Sequence, residues 1–476
     1  MKPSILWTIL AASFLVLGGG GSAWPDDFDD CNWFPSVDKK IAACTRLIKS
    51  GRLSNEDLAT AYNHRGDAYD DKGQLDLAIA DFSRAIEIDP DYKRAYYNRG
   101  IAYRSQEKFD LAIADYSRAI DIDPDYKLAY HSRGIAYRRE GKLDLAIADQ
   151  TRAIEIDPDY KLAYLNRGNA YHDDGQLDLA IADYTKTIEI DPEFAFAYFN
   201  RGNTYDDKGQ LDLAIADYTK AIEIDPDDAT AYRSRGLAYR DQEKLDIAIA
   251  DYTKAIEIDP DYKAAYRSRG LAHRKNGQLD LAIADYTRAI EIDPDYARAY
   301  RSRGLAYKDQ GKLDLAIADY TKAIEINPDY ALAYNNRGFA YDDLGKFGLA
   351  IADYTRAIEI DPDYASAYNN FAWLLATASN SNKRDGKKAV ELAEKAVGLK
   401  SESASYMDTL AAAHAEAGQF AEAIGMQEQA IGLLKAQRKE EKVSDYESRL
   451  KLYQQPPTAF SKIPRPRPYS QQSPNS

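Results

Sequence analysis

Two cysteines, three methionines, four tryptophans and five histidines are all that this 476-residue chain holds of those types. A cysteine-built metal site is therefore excluded, and Cys31 and Cys44 sit at no metal-ligand spacing. The histidines, His64, His131, His172, His273 and His414, are dispersed, and none has a partner at the spacing of a metal site or a catalytic triad. No glycine-rich phosphate loop is present. Positive charge is in deficit, with 62 Lys and Arg against 77 Asp and Glu and a formal net charge of −15, which argues against nucleic-acid binding. Paired carboxylates point to no catalytic acid and base, because acids are abundant and fall at helix starts and in Asp-Pro turns.

The apolar stretch from Ile5 to Leu17 falls short of the roughly 20 residues that span a bilayer. Lys2 precedes it, and the small residues Gly21 and Ala23 follow. Residues 1–23 thus read as a cleaved signal peptide, with a retained N-terminal anchor as the alternative. No cysteine follows closely enough for lipid attachment. Export is expected, to the periplasm or beyond the cell, with no stable membrane span after signal removal. In an oxidising compartment Cys31 and Cys44 are either one disulfide, worth roughly 3 kcal/mol in the loop-entropy model, or two buried thiols.

What the chain does have is a period. Proline recurs at 90, 124, 158, 192, 226, 260, 294, 328 and 362, always 34 residues apart, and an Arg-Gly pair recurs in step from Arg65-Gly66 to Arg337-Gly338. The stretch from Tyr300 to Pro328 shows the logic of one copy. Tyr300, Gly304 and Tyr307 form one helical stripe, and Ala316, Tyr320, Ala323 and Ile324 form another. Gly311 lies between them where a left-handed turn is needed, Asp314 is placed to cap the second helix, and Pro328 ends it. Folded as an antiparallel hairpin, the copy sets Tyr307 opposite Ala316 and Tyr300 opposite Ala323. One hairpin cannot bury both its faces; a stack of them can.

The spacing Tyr300, Arg303-Gly304, Tyr307, Ala316, Tyr320, Pro328 resembles the tetratricopeptide repeat pattern W-x2-L-G-x2-Y, A-x3-F and P, with Tyr for Trp and Arg for Leu. Nine such copies fill residues 57–362. The resemblance implies an all-α, right-handed superhelical solenoid of stacked antiparallel hairpins, about eleven in number. Glu107 and Glu243 replace the turn glycine, and since a left-handed non-glycine costs about 1–2 kcal/mol those two hairpins are expected to turn differently. Gln150 replaces the second-helix aromatic, and His273 a first-helix tyrosine. Two divergent copies follow in residues 363–434, from Tyr368 and around Leu410. Before the array, residues 24–56 contain "KKIAACTRLI", a second helix alone with Cys44 in the aromatic's place, which reads as a cap. A C-terminal helix is expected in 435–453 and a Pro-rich disordered tail in 454–476.

Each of the nine copies also carries an Arg and an Asp on its core faces. The pairs are Arg65 with Asp81, Arg99 with Asp115, Arg133 with Asp149, Arg167 with Asp183, Arg201 with Asp217, Arg235 with Asp251, Arg269 with Asp285, Arg303 with Asp319, and Arg337 with Asp353. They disappear together, becoming Phe371 and Leu392 in the tenth copy and Leu410 and Met426 in the eleventh. This pattern predicts a bidentate ion pair across each hairpin, the alternatives being a solvated Arg or a bond to a neighbouring helix end.

In tetratricopeptide proteins the first helices line the concave side, and the resemblance implies the same here. The residues beside the core stripe are then groove positions, and they vary between copies. Arg233, Leu237 and Arg240, then Arg267, Leu271 and Arg274, then Arg301, Leu305 and Lys308 predict a basic ladder with an apolar centre. Leu162, Leu165, Phe196 and Phe199 form a second, apolar groove. The expected function is a non-enzymatic docking scaffold of the cell envelope, with no cofactor or metal, binding an extended and acidic partner segment. A glycan-binding or polysaccharide-export scaffold is the first alternative, and an enzyme with a site composed from several copies is the remote one.

Overall fold

The structure is a computed structural model that describes residues 29–32 and 36–455. The expected signal segment, residues 1–23, lies outside the described residues, as does the tail beyond residue 455. Every element among the described residues is helical. The chain divides into two compact halves, one ending at Ile224 and one beginning at Asp225.

The hairpin built from Ala297–Asp309 and Leu313–Ile326 stands for the rest. Gly311 takes a φ of 74°. This lets its N–H reach Lys308 O at 2.8 Å while Lys312 N–H reaches Tyr307 O at 2.9 Å, which satisfies the last carbonyls of the first helix. The second helix ends at Asn327, held extended at φ −129° because Pro328 follows. Its side-chain oxygen accepts from the Asp329 N–H at 3.1 Å, and the Asp-Pro-Asp turns of the other copies do the same, as Asp89 does for Asp91.

Two local expectations are corrected. Lys312, not Asp314, is the N-cap residue, and no side chain caps that helix; Asp314 lies in the first turn, where its charge complements the helix dipole. Glu107 and Glu243 do not turn differently: they hold φ 58° and 63° and make the glycine-type bonds, with Glu107 N–H on Arg104 O and Lys108 N–H on Tyr103 O. Packing of the flanking helices fixes the turn and overrides the local preference.

The repeated glycine beside the repeated Arg is a matter of close approach. A Cβ on Gly304 would lie 2.6 Å from Cε1 of Tyr320, whose ring is fully buried. Gln150 takes that ring's place in the third copy, with its Nε2 donating to His131 O and its Oε1 meeting His131 Nδ1, both at 2.9 Å. The departure at Gln150 is thus satisfied by His131, which stands at the variable position that Arg301 occupies in its own copy.

In each half the first helices of successive hairpins meet one another more than the second helices do, so the first helices form the inner side of the stack. In the N-terminal half the array is preceded by the helix Val37–Ser50, where Cys44 is bonded to Cys31 and packs with Ala43, Leu47 and Ala61. The C-terminal half closes differently from expectation. The eleventh hairpin's second helix runs Phe420–Ala436, and the terminal helix is Val443–Tyr453, so residues 435 and 436 belong to the earlier element.

Candidate docking faces and the buried ion pairs

The core charges meet. Arg65 Nε and Nη2 donate to Asp81 Oδ2 and Oδ1 at 2.6 and 2.7 Å. The other eight pairs repeat this two-pronged geometry at 2.7–3.0 Å. The spacing follows from the hairpin: Arg and Asp stand 16 residues apart, on facing turns of two antiparallel helices. In the eighth copy the side chains are 17% and 8% exposed, and the guanidinium lies between the rings of Tyr300 and Tyr307, 5.6 and 5.9 Å from their centroids. The hydrogen bonds to Asp319 hold Arg303 above its ordinary pKa. Burial pushes the Asp115 and Asp149 carboxyls up in spite of their Arg partners, which is the desolvation cost of such a pair.

A third bond escapes the sequence pattern. Nη1 also reaches back to a hydroxyl in the preceding hairpin: Arg99 to Ser83, Arg167 to Thr151, Arg269 to Thr253 and Arg303 to Thr287, all at 3.0–3.1 Å. Arg65 finds Thr45 at 3.1 Å, on the helix before the array. These Arg residues therefore close their own hairpin and join it to the element before.

The groove residues divide into two rows. On the first row Arg233 Nε donates to Ser268 Oγ at 3.2 Å and Arg267 Nε to Ser302 Oγ at 3.3 Å, each crossing to the next hairpin. Arg301 lies 6.0 Å from the Tyr330 ring centroid, and its Nε is buried with no hydrogen-bond partner. Among the described residues no carboxylate pairs with these three, all of which are half-buried.

The second row is already neutralised. Arg240 bonds Asp241 at 2.9 Å, Arg274 bonds Asp309 at 2.6 Å, and Lys308 lies 3.9 Å from Asp309 and over the Phe339 ring. Nor is there an open apolar centre. Leu305 is 6% exposed and packs with Ala316, Tyr320 and Ala340, while Leu237 and Leu271 pack against the clusters of Tyr252 and Tyr286. The position after the glycine faces the tip of the second-helix ring, so an apolar residue there turns inward. The expected nine-residue ladder is thereby reduced to three guanidiniums.

In the N-terminal half Leu162 and Leu165 are half-buried, and Phe199 packs 5.8 Å from Tyr218. Phe196 stands out at 66% exposure, with Phe194 at 6.0 Å.

Models described as TPR repeat match residues 66–104, 134–175, 168–208, 202–242, 236–277, 270–311 and 304–345. Models described as tetratricopeptide repeat match 94–126, 331–364, 353–387 and 403–436. The chain belongs to the tetratricopeptide repeat family. Among solved structures it is similar to MamA, at 34% identity over 34% of this chain and 96% of that one, with a TM-score of 0.33. It is also similar to YrrB, a TPR protein with an unusual peptide-binding site, at 29% identity over 39% and 96% with a TM-score of 0.33. Yeast Tom70 aligns at 18% identity over 86% and 99%, with a TM-score of 0.46. A search of curated proteins gave no match. As a tetratricopeptide solenoid the protein is a protein–protein interaction scaffold. No described helix is long and apolar enough to cross a membrane, and no described cluster of His, Cys, Asp or Glu is arranged to hold a metal.

Two further features of this tetratricopeptide array were not foreseen. Asn169 and Asn203, at the position of Leu305, accept from the hydroxyls of Tyr184 and Tyr218 at 2.9 and 2.8 Å. Where Leu stands instead, the hydroxyls of Tyr252, Tyr286 and Tyr320 are buried without a partner. In the first copy Asp67 occupies this position opposite Phe82, which has no hydroxyl; Asn98 Nδ2 donates to it at 2.7 Å, and burial pushes its carboxyl up to about 7. Comparison of the copies held only part of the signal: the one Phe faces the one Asp, but Tyr faces Asn in two copies and an apolar residue in the others.

The second feature closes the array. Asp408, fully buried, accepts from Arg449 Nε at 2.6 Å and Gln427 Nε2 at 2.9 Å, and Arg449 lies over the Tyr446 ring at 4.6 Å. The eleventh copy thus lacks the repeated pair and has another in its place.

Proposed function

We propose that the protein is an exported docking scaffold whose C-terminal half holds an extended, acidic polypeptide segment along its first helices. One observation carries this reading: Arg233, Arg267 and Arg301 recur at the 34-residue period, half-buried on the inner side, with no carboxylate partner among the described residues; Arg233 and Arg267 donate to serine hydroxyls, and Arg301 Nε has no partner. Carboxylates of a ligand would complete three prepared sites, with the Nε of Arg301 already short of a partner. Export is supported by the character of residues 1–23 and by the Cys31–Cys44 bond, which belongs in an oxidising compartment. These features support a periplasmic location, with secretion as the alternative.

Titration of the full chain with an acidic peptide library, read by fluorescence anisotropy, tests the proposal. Binding should weaken by tenfold or more, on the order of 1.4 kcal/mol, in Arg267→Glu and Arg301→Glu. Unchanged binding in both variants would overturn it. The exposed Phe196 favours a second reading, in which the N-terminal half stacks on sugar rings of an envelope glycan. Retention on immobilised polysaccharide that is lost in Phe196→Ala would establish that reading in place of the peptide.

A further inference from the structure

The outward side of the second helices carries a pattern that neither hairpin nor stack requires. Leu77, Leu111, Leu145, Leu179 and Leu213 stand third in the five helices of the N-terminal half, each 46–49% exposed. A single exposed leucine is ordinary; one at the same place in every helix of a stack makes an apolar ridge. Three residues further on, each helix exposes an alanine, such as Ala114, Ala148 and Ala182. Asp stands second in each of these helices, and Lys or Arg tenth. The helix dipole accounts for the Asp. The cations lie before the last turn and make exposed pairs within the chain, Arg118 with Asp91 at 3.3 Å, Arg152 with Asp125 at 3.2 Å and Glu155 at 3.1 Å, and Lys186 with Glu189 at 3.2 Å, pairs weak enough for a partner's carboxylate to share. Neither accounts for the leucine and alanine.

The order along one rung is Asp144, Leu145, Ala148, Arg152, with Ala148 midway between the charges. Turned end for end about Ala148, the same helix sets Arg152 against Asp144 and lets the two alanines approach closely. Each rung is therefore its own complement. A partner that engages all five rungs must also present a 34-residue spacing, and a second copy of this chain does.

We propose that the outer face of residues 75–220 is an interface between two copies of this protein, packed antiparallel, second helix on second helix, about a two-fold axis at Ala148. That face is opposite the first helices, so the proposal stands apart from the docking reading and leaves the inner side free. The net charge of −15 opposes association, and the measurement belongs at about 0.15 M salt, where screening acts beyond roughly 8 Å.

Sedimentation velocity of the full chain, from about 1 to 100 μM, should show a monomer–dimer equilibrium. Leu111→Lys, Leu145→Lys and Leu179→Lys combined should weaken the dimer at least tenfold without changing the circular dichroism melt. Replacing Asp110, Asp144 and Asp178 by Lys should weaken it too, and adding Arg118→Asp, Arg152→Asp and Lys186→Asp should restore it, because the swapped rungs face one another across the axis. A wild-type protein that stays monomeric throughout, a leucine variant that dimerises as well as wild type, or a charge swap that fails to rescue would each overturn the proposal.

Discussion

Arg303→Leu isolates what a buried pair does in this fold. The substitution removes two 2.8 Å bonds to Asp319 and one of 3.0 Å to Thr287, and leaves a carboxylate that is 8% exposed. Stranding one member of such a pair costs about 3–5 kcal/mol. Asp319→Leu should cost less, roughly 2 kcal/mol, because Arg303 is 17% exposed and retains Thr287 and its two tyrosine rings. With both replaced, no buried charge remains and the loss should fall to about 1 kcal/mol, a coupling of several kcal/mol between the sites. The tenth copy supplies the precedent, with Phe371 and Leu392 in the two positions and both inside one apolar cluster. Because stacked repeats open piecewise, amide hydrogen exchange in Ala297–Asp309 and Leu313–Ile326 is the suitable assay. Equal and additive losses from the two single substitutions would refute the reasoning.

Glu107→Gly and Glu243→Gly should each stabilise the protein by about 0.5–1 kcal/mol in urea denaturation, since relief of a left-handed non-glycine exceeds the added chain entropy. Asp67→Asn should raise stability more at pH 8 than at pH 5, by roughly 2 kcal/mol. The sign follows from a folded pKa of about 7 above an ordinary 3.8: stability from Asp67 is present in acid and lost as pH rises through 7. His64, lowered by burial to about 4, acts the other way between pH 4 and 6.5, but it does so in both proteins. An advantage of Asp67→Asn that is flat with pH would contradict the account.

Hairpin boundaries, stripes and pair partners were readable because the chain prints the same solution nine times, which turns one sequence into an internal comparison. Gly304, Tyr320 and Pro328 mark where a backbone must come close, where a ring must fill, and where a helix must stop. The groove was less readable because the same comparison misleads there. Leu305, Arg274 and Lys308 vary like ligand-contacting residues, yet Leu305 follows the tip of a buried ring and the two cations follow Asp309. Variation among copies reports any changing neighbour, whether it is a ligand or the next hairpin. The Asp408–Arg449 pair lay out of reach for the opposite reason, because it occurs once and spans 41 residues.

The third bond, as Arg303 makes it to Thr287, gives these pairs a consequence beyond the single hairpin. A carboxylate partner alone would fix how two helices of one hairpin face each other. The hydroxyl of the preceding second helix adds a reference in the next layer, so one rigid guanidinium, with its donors in a fixed fork, registers three helices at once. Ser268 and Ser302, which receive Arg233 and Arg267 on the inner side, each adjoin the next buried Arg in sequence, Arg269 and Arg303. Arg233 and Arg267 are therefore tethered to residues whose backbone the buried pairs already hold. A ligand meeting them would find its charges spaced by the core, and would not need to order these two arginines as it bound.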